Sequence, residues 1–469
     1  MKRNSLFEMT FYKSLSDFQQ KSFDEIDPQI GDFDQKRIKS YNIEYSDELI
    51  NNIKNQFTCI LLQSPEESSH TIKILNEMIS TNPDICFQYI LPNHIEIAIF
   101  FISKREYYEN GIIFLNLVLD NYPQLSRSDN YLKFAEELYQ KIAHFFSSKV
   151  IDSNIKRLQN IIFKSIYDPI SRDIFIRSET MKQLENNIQK SAEDDDQNDL
   201  IIVSLEIVSF LVQIHPVPDC FKSLIYPLQE VSNLSGEESV LALNILTDLT
   251  LYSSIDILVY IKQYGIDGTT YIENLSAFLQ VSNQNLKKRI SSFQLLSALS
   301  KYGDEIFQEM NRLRTLFEAK KSLSDKKKEI IIEALTFFLC WYKNAKDYQK
   351  NLFDQICKFN FTAICKEESY QAKSIMMDLI ISLSEKANAT QLQYIINKEF
   401  IRIAVENIDE TNYELSAKII HFLNVVVDRS NAYPYFLQTI KEELTDIQIG
   451  DDLIDEQLSL LLELINNYC

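Results

Sequence analysis

The sequence predicts an all-α solenoid, and three observations carry that prediction. First, a helical pattern recurs ten times: an opening residue, then apolar residues three, four and seven places later. The openers are Thr71, Gly111, Ile155, Ser204, Ala242, Ser292, Ala334, Ala372, Ser416 and Gln457, spaced 38 to 50 residues apart. Self-similarity at such a period marks stacked helical units that share a core. Second, eight of the ten openers are Gly, Ala, Ser or Thr, small enough to let a neighbouring helix come close. Third, the 469 residues include only seven glycines and ten prolines, about 4% against a usual ~12%. Folds rich in turns, and glycine-rich phosphate loops, need more.

The elements follow in order. The third place after each opener reads Ile74, Phe114, Leu158, Ile207, Ile245, Leu295, Phe337, Ile375, Ile419 and Leu460, all apolar. The fourth place is apolar except at Gln159, and the seventh is apolar throughout, from Met78 to Leu464. Spacings of three, four and seven place these side chains on one stripe of a helix. The third unit fits least well, because both Ile155 and Gln159 depart from the pattern. Between the repeat helices lie further amphipathic stretches, at Ile95–Ile102, Phe221–Leu228, Tyr271–Leu279 and Phe400–Val405. Each unit thus holds at least two helices, with room for a short third.

This pattern resembles the armadillo and HEAT repeat superfamily over residues 47–469, which form one domain in this reading. The resemblance implies a right-handed α-solenoid of about ten repeats. Residues 1–46 stand outside it as an N-terminal arm, with a short helix over Ser5–Gln20 and an extended or disordered remainder broken by Asp27-Pro28 and Gly31-Asp32.

Composition narrows the function. The formal net charge is −20, which repels phosphate backbones and argues against nucleic acid as a partner. No apolar run reaches the ~18 residues of a membrane span; the longest, Leu200–Ile214, is interrupted by Glu206. The N-terminus lacks the apolar core of a secretory signal. Seven cysteines without a Cys-x-x-Cys pair suit a reducing, cytoplasmic setting. The histidines show no metal-ligand spacing, and His421 reads as a packed or edge residue. No cofactor or metal is expected.

Catalytic motifs are scarce. Two strings, Asp195-Asp196-Gln197-Asn198-Asp199 and Asp451-Asp452-Leu453-Ile454-Asp455, resemble the paired magnesium-binding strings of trans-prenyl diphosphate synthases. The first lacks a following Arg-Arg pair, and the second is followed by only fourteen residues of the sequence, 456–469. Aspartates before a helix also serve as caps that favour its dipole, as for the run Glu193-Asp194-Asp195-Asp196. The enzyme reading therefore stands last.

Partner binding is the leading reading. The resemblance implies that the repeat helices line a concave face, with the side chains two and six places after the openers pointing inward. These include Lys73, Glu77, Arg157, Glu206, Asn244, Asp248, Gln294, Ser374, Asp378 and Lys418. Amide side chains there can bond a partner's backbone while ignoring its side chains. A second lead is a basic island from Arg312 to Lys350, with ten basic and five acidic residues. Within it Lys326, Lys327 and Lys328 precede the helix of Ala334, where cations oppose the dipole and suit an acidic partner.

The expected function is a non-catalytic scaffold or adaptor, monomeric on its own, that binds an extended or helical segment of another protein. Two narrower readings share this layout: an importin-alpha-like transport adaptor that shuttles to the nucleus, and a regulatory subunit of a kinase or phosphatase. Importin-alpha-like proteins carry a ladder of Trp and Asn on successive groove helices, whereas the single tryptophan here, Trp341, falls at a core position.

If the small openers mark helix crossings, Ala334→Glu places an unpaired charge between two units, at a cost of several kcal/mol. Thermal denaturation checks this; an unchanged melting temperature would remove Ala334 from a crossing.

Overall fold

The computed structural model describes residues 46–468 except 62–64, 105, 123–128, 148–152, 191–197, 215–218, 263–269, 281–284, 367–368, 388, 430–433 and 446–449. The expected arm therefore lies outside the described residues apart from Ser46, which caps the helix Asp47–Cys59 by accepting the Leu49 N–H. The run 193–196 lies outside them too. Every element described is a helix.

Each of the ten openers lies on its own long helix. These repeat helices are α1 (Pro65–Thr81), α2 (Tyr108–Asn121), α3 (Ser153–Ser165), α4 (Asn198–Gln213), α5 (Glu237–Tyr252), α6 (Leu286–Ala298), α7 (Lys328–Asn344), α8 (Tyr370–Ser384), α9 (Tyr413–Arg429) and α10 (Asp452–Tyr468). The chain divides into two compact units, Met1–His94 and Ile95–Cys469.

In the first unit α1 packs on Asp47–Cys59 through Ile53, Phe57, Ile60, Ile72, Leu75 and Ile79, all buried. His94 closes this core. Its Nδ1 accepts the Leu91 N–H at 2.8 Å, which leaves Nε2 to donate to the Phe57 carbonyl at 2.7 Å. Burial holds its pKa below the ordinary value, so the ring is a neutral packing group.

In the second unit α2, α3, α4, α5, α6, α7, α8, α9 and α10 pack each on the next. They run parallel, because side-chain bonds join places counted similarly from the two openers. Trp341 Nε1 donates to the Leu296 carbonyl at 3.0 Å, Asn344 to Ser300 at 2.9 Å, and Lys418 to Ser374 at 2.6 Å, across separations of 44 to 45 residues. Antiparallel neighbours would pair early places with late ones. The second helices also stack in file: Tyr271 bonds Ser232 at 2.8 Å and Ser276 bonds Thr315 at 2.5 Å, each pair 39 residues apart. A third, short helix is present in several units, as at Leu258–Ile261, Asp304–Arg312 and Gln349–Ile356.

The core is the predicted stripe. From α2 to α9 the third, fourth and seventh places are buried, with half-buried Ile375 and the polar Gln159 as departures. The openers from Gly111 to Ser416 are buried as well. Ser204 and Ser292 turn their hydroxyls back to the carbonyls of Leu200 and Lys288, so they add no unsatisfied donor at the contact. Trp341 packs against Phe307 and Phe337 inside this core.

Two registers differ from expectation: α1 leaves Ile74 and Met78 half-buried and packs Ile72, Leu75 and Ile79, and α10 is the other. Leu460 is 59% exposed, and α10 buries Ile454, Leu458, Leu461 and Ile465 instead. α10 meets α9 and Pro434–Leu444 through this other stripe. The run Leu460-Leu461-Leu462 is apolar at every place, so spacing alone could not select the face.

At Gly111, α2 crosses Pro92–Ile102 so closely that a Cβ would sit 2.7 Å from the Ala98 carbonyl oxygen and 3.0 Å from Phe101 Cβ. Gly111→Ala is therefore expected to destabilise the chain by about 1–3 kcal/mol, despite alanine's better helix propensity. Chemical denaturation measures this; a stabilised variant would mean that the two helices do not meet there.

Candidate functional site

Polar side chains bond across several junctions between repeat helices. At the α2–α3 junction Asn160 donates to Asn116 at 2.8 Å and to Asp120 at 2.7 Å. At α3–α4 Gln159 donates to Glu206 at 2.6 Å, which explains the polar exception in the third unit. From the turn Leu299–Tyr302 that follows α6, Lys301 reaches the Thr250 carbonyl, near the end of α5 where a cation meets the negative end of the dipole. At α6–α7 Gln294 donates to Glu333 at 2.9 Å. At α8–α9 Lys418 is held by Asp378 at 2.9 Å, Ser374 at 2.6 Å and Glu414 at 2.9 Å.

The expected partner-binding residues thus have definite places. Asn244, Gln294, Ser374, Asp378 and Lys418 are half-buried. Gln294, Ser374, Asp378 and Lys418 are tied to neighbours, so a partner would meet an organised surface. Burial alone would lower the Lys418 pKa, but Asp378 and Glu414 outweigh it and hold it above the ordinary value. Burial in turn raises Asp378, against the opposing pull of Lys418. Asp248 departs from expectation: it is 1% exposed and faces the α4–α5 junction, away from any open surface. Burial pushes its carboxyl up to about 7, although a hydrogen bond from Gln213 lowers it, and its Oδ2 has no hydrogen-bond partner. Burial likewise pushes Glu333 up to about 7, against the bond from Gln294.

The basic island does not form one patch. α7 spans 17 residues, roughly 25 Å at 1.5 Å per residue, and puts Lys343, Lys346 and Lys350 at the other end from Lys326–Lys328. Arg312 is taken up by Glu309 at 2.6 Å and Glu273 at 3.4 Å. Asp325 is also engaged: it binds Arg289 at 2.9 Å, a pair with side chains 6% and 10% exposed, and accepts the Lys327 N–H at 3.0 Å. That buried pair joins α6 to the start of α7. Lys326, Lys327 and Lys328 are exposed, and among the described residues no acidic side chain pairs with them.

At the far end of the helix Thr315–Ser322 from this cluster is an open groove of about 320 Å³ against Tyr271–Phe278, lined by Glu273, Ser276, Ala277, Gln280, Leu313, Arg314 and Glu318. Arg314 is the one non-glycine residue with positive φ (62°) among the described residues, a conformation costing about 1–2 kcal/mol. Sequence reasoning missed it, because a turn of this kind is read from glycine or asparagine, and Asn311-Arg312-Leu313-Arg314 offers neither at the strained place. The second Asp-rich string has a structural role: Asp451 accepts the Leu453 and Ile454 N–H groups at 3.0 Å each, and Asp455 accepts that of Gly450 at 3.1 Å. Among the described residues no three metal-ligating side chains converge, and no single helix is long and apolar enough to cross a membrane.

No family model and no curated protein matches the chain. Among solved structures, an engineered protein that was a target of the Northeast Structural Genomics Consortium overlays with a TM-score of 0.57 at 12% identity, covering 88% of this chain and 98% of its own. Uso1-2 overlays with a TM-score of 0.58 at 12% identity, covering 90% of this chain and 80% of its own. A designed armadillo repeat protein covers 55% of this chain and 100% of its own at 15% identity, but its TM-score of 0.37 is too low to bear on the fold. At these identities the likeness is one of fold alone, and the stacked repeat helices described above are what it covers.

Asp248 provides a test of the junctions. Its pKa rises from 3.8 to about 7 on folding, so the folded chain favours the protonated acid. Below pH 4 both states hold the proton and ionisation costs nothing. Between pH 4 and 7 the unfolded chain loses it first and stability falls; above pH 7 the full penalty, up to about 4 kcal/mol, applies. Asp248→Asn is expected to stabilise the chain at pH 8 and to leave it near wild type at pH 4. Denaturant melts at both values check this; equal effects at the two would place the carboxyl in water.

Proposed function

We propose that this chain is a non-catalytic protein-binding scaffold whose repeat helices present a partner segment with one continuous polar face. The observation that carries this reading is the set of cross-helix bonds at Gln294–Glu333 and Lys418–Asp378–Ser374, which fixes half-exposed amide and charged groups on stacked helices. Fixed side chains bind at a smaller entropic cost than mobile ones. Asn244 belongs to the same face. Two carboxylates of the second Asp-rich string, Asp451 and Asp455, are occupied in capping the start of α10, which favours a binding role over prenyl diphosphate chemistry.

The two narrower readings differ in their support. An importin-alpha-like groove needs tryptophan on its surface for basic cargo, and Trp341 is wholly buried with its indole N–H bonded to the backbone. A scaffold that positions another protein, such as a kinase or phosphatase, asks only for the open face, and is the favoured form. A cytoplasmic location goes with this reading.

Affinity purification of the full chain, followed by hydrogen–deuterium exchange on the recovered complex, tests it. Added protection is expected along α5 to α9 at Asn244, Gln294, Ser374 and Lys418. Gln294→Arg with Ser374→Arg should weaken capture at least tenfold without changing helical content. Capture that survives both substitutions, or protection confined to other surfaces, would refute the reading.

A further inference from the structure

A second surface stands apart from the repeat-helix face. The helix Thr315–Ser322 exposes one stripe: Phe317 is 53% exposed, and Lys320 and Lys321 share its side of the helix at i+3 and i+4. Arg314 precedes this stripe and Lys326–Lys328 follow it. The two carboxylates in the groove wall are already engaged. Glu318 binds Lys321 at 3.2 Å, while Glu273 accepts the Thr270 N–H at 2.8 Å and meets Arg312. Arg314 is exposed and, among the described residues, pairs with no carboxylate.

Strain and charge coincide here. A left-handed arginine at the lip of a groove is a cost to the fold that glycine would not carry. The surrounding cations form a positive surface in a chain of net charge −20, so what this surface lacks is negative charge. Eight helical residues separate Arg314 from the turn before Lys326, roughly 12 Å, a distance that four extended residues span.

The geometry points to an acidic, extended segment of a partner protein as the occupant: a carboxylate on Arg314, an apolar side chain against Phe317 and Leu313, and further carboxylates on Lys326–Lys328. This rests on the reading of the chain as a protein-binding scaffold and adds the chemistry of the bound segment. The apolar contact offered by Phe317 and Leu313 between the cations favours a peptide, which can place an apolar side chain between carboxylates; an oligonucleotide carries the same sign of charge and is set against the peptide in the test.

Fluorescence anisotropy with the full chain tests this. The probe is a fluorescein-labelled 12-residue peptide of four Glu-Glu-Phe repeats, with a Lys-Lys-Phe version and a 12-nucleotide oligothymidylate as comparisons. Saturable binding of the acidic peptide, weakened by salt, is expected. Lys326→Glu/Lys328→Glu should weaken it at least tenfold, whereas Lys346→Glu/Lys350→Glu, an equal change of charge at the other end of α7, should change it less than twofold. Arg314→Gly should also weaken binding at least tenfold, with a melting temperature equal to or above wild type. The inference is overturned if the acidic peptide does not bind, if both double variants weaken it equally, if Arg314→Gly leaves binding intact, or if the oligothymidylate binds as tightly. Failure here, with protection of α5–α9 by a captured partner intact, removes this inference alone; loss of that protection removes the scaffold reading instead.

Discussion

The structure depends on burial shared between successive repeat helices. A single amphipathic repeat helix buries its apolar stripe only against other helices. Leu295 and Leu296 of α6, and Leu299 just after it, are wholly buried because other helices cover them, as are Phe337 and Trp341 of α7. A fully buried Leu or Phe is worth about 1.5–3 kcal/mol, and much of that gain is lost if the helices move apart. The small openers allow close approach; Gly111 shows the limit, where even a methyl group meets backbone.

Close parallel stacking has a polar consequence. Side chains at the edge of the apolar stripe come within reach of the same places on the next helix, and each partly buried polar group then needs a partner. Gln159–Glu206, Gln294–Glu333 and Lys418–Asp378 meet this need across three different junctions. Asp248 meets it only in part, which is why burial raises its pKa so far. The bonds that satisfy the stack also fix the half-buried polar groups at its edge, and under the proposed function stability and recognition would rest on the same residues.

Much of the fold was legible in the sequence because its signal repeats: ten openers and their apolar places average out local ambiguity. Where the averaging failed, a physical cause is visible. The three consecutive leucines at 460–462 allowed two registers, and packing on α9 selected one. Depth was less legible than direction, since Asn244 and Asp248 share a helix side four residues apart while only Asp248 is sealed off. The basic island read as one feature along the chain, yet 17 helical residues separate its ends. Arg314 could not be anticipated at all, because its φ is set by the turn joining Asp304–Arg312 to Thr315–Ser322 and not by its residue type.

The central claim is that each repeat helix of the second unit, α2 to α10, is held by its neighbours in file. Deleting one whole period, residues 292–333, joins the start of α6 to α7 at matching openers and tests it directly. Circular dichroism during a thermal melt should show unchanged ellipticity per residue and a single cooperative transition, because every remaining stripe still meets another. Loss of helical signal, or a broad transition without cooperativity, would show that the core is not built from interchangeable neighbouring units.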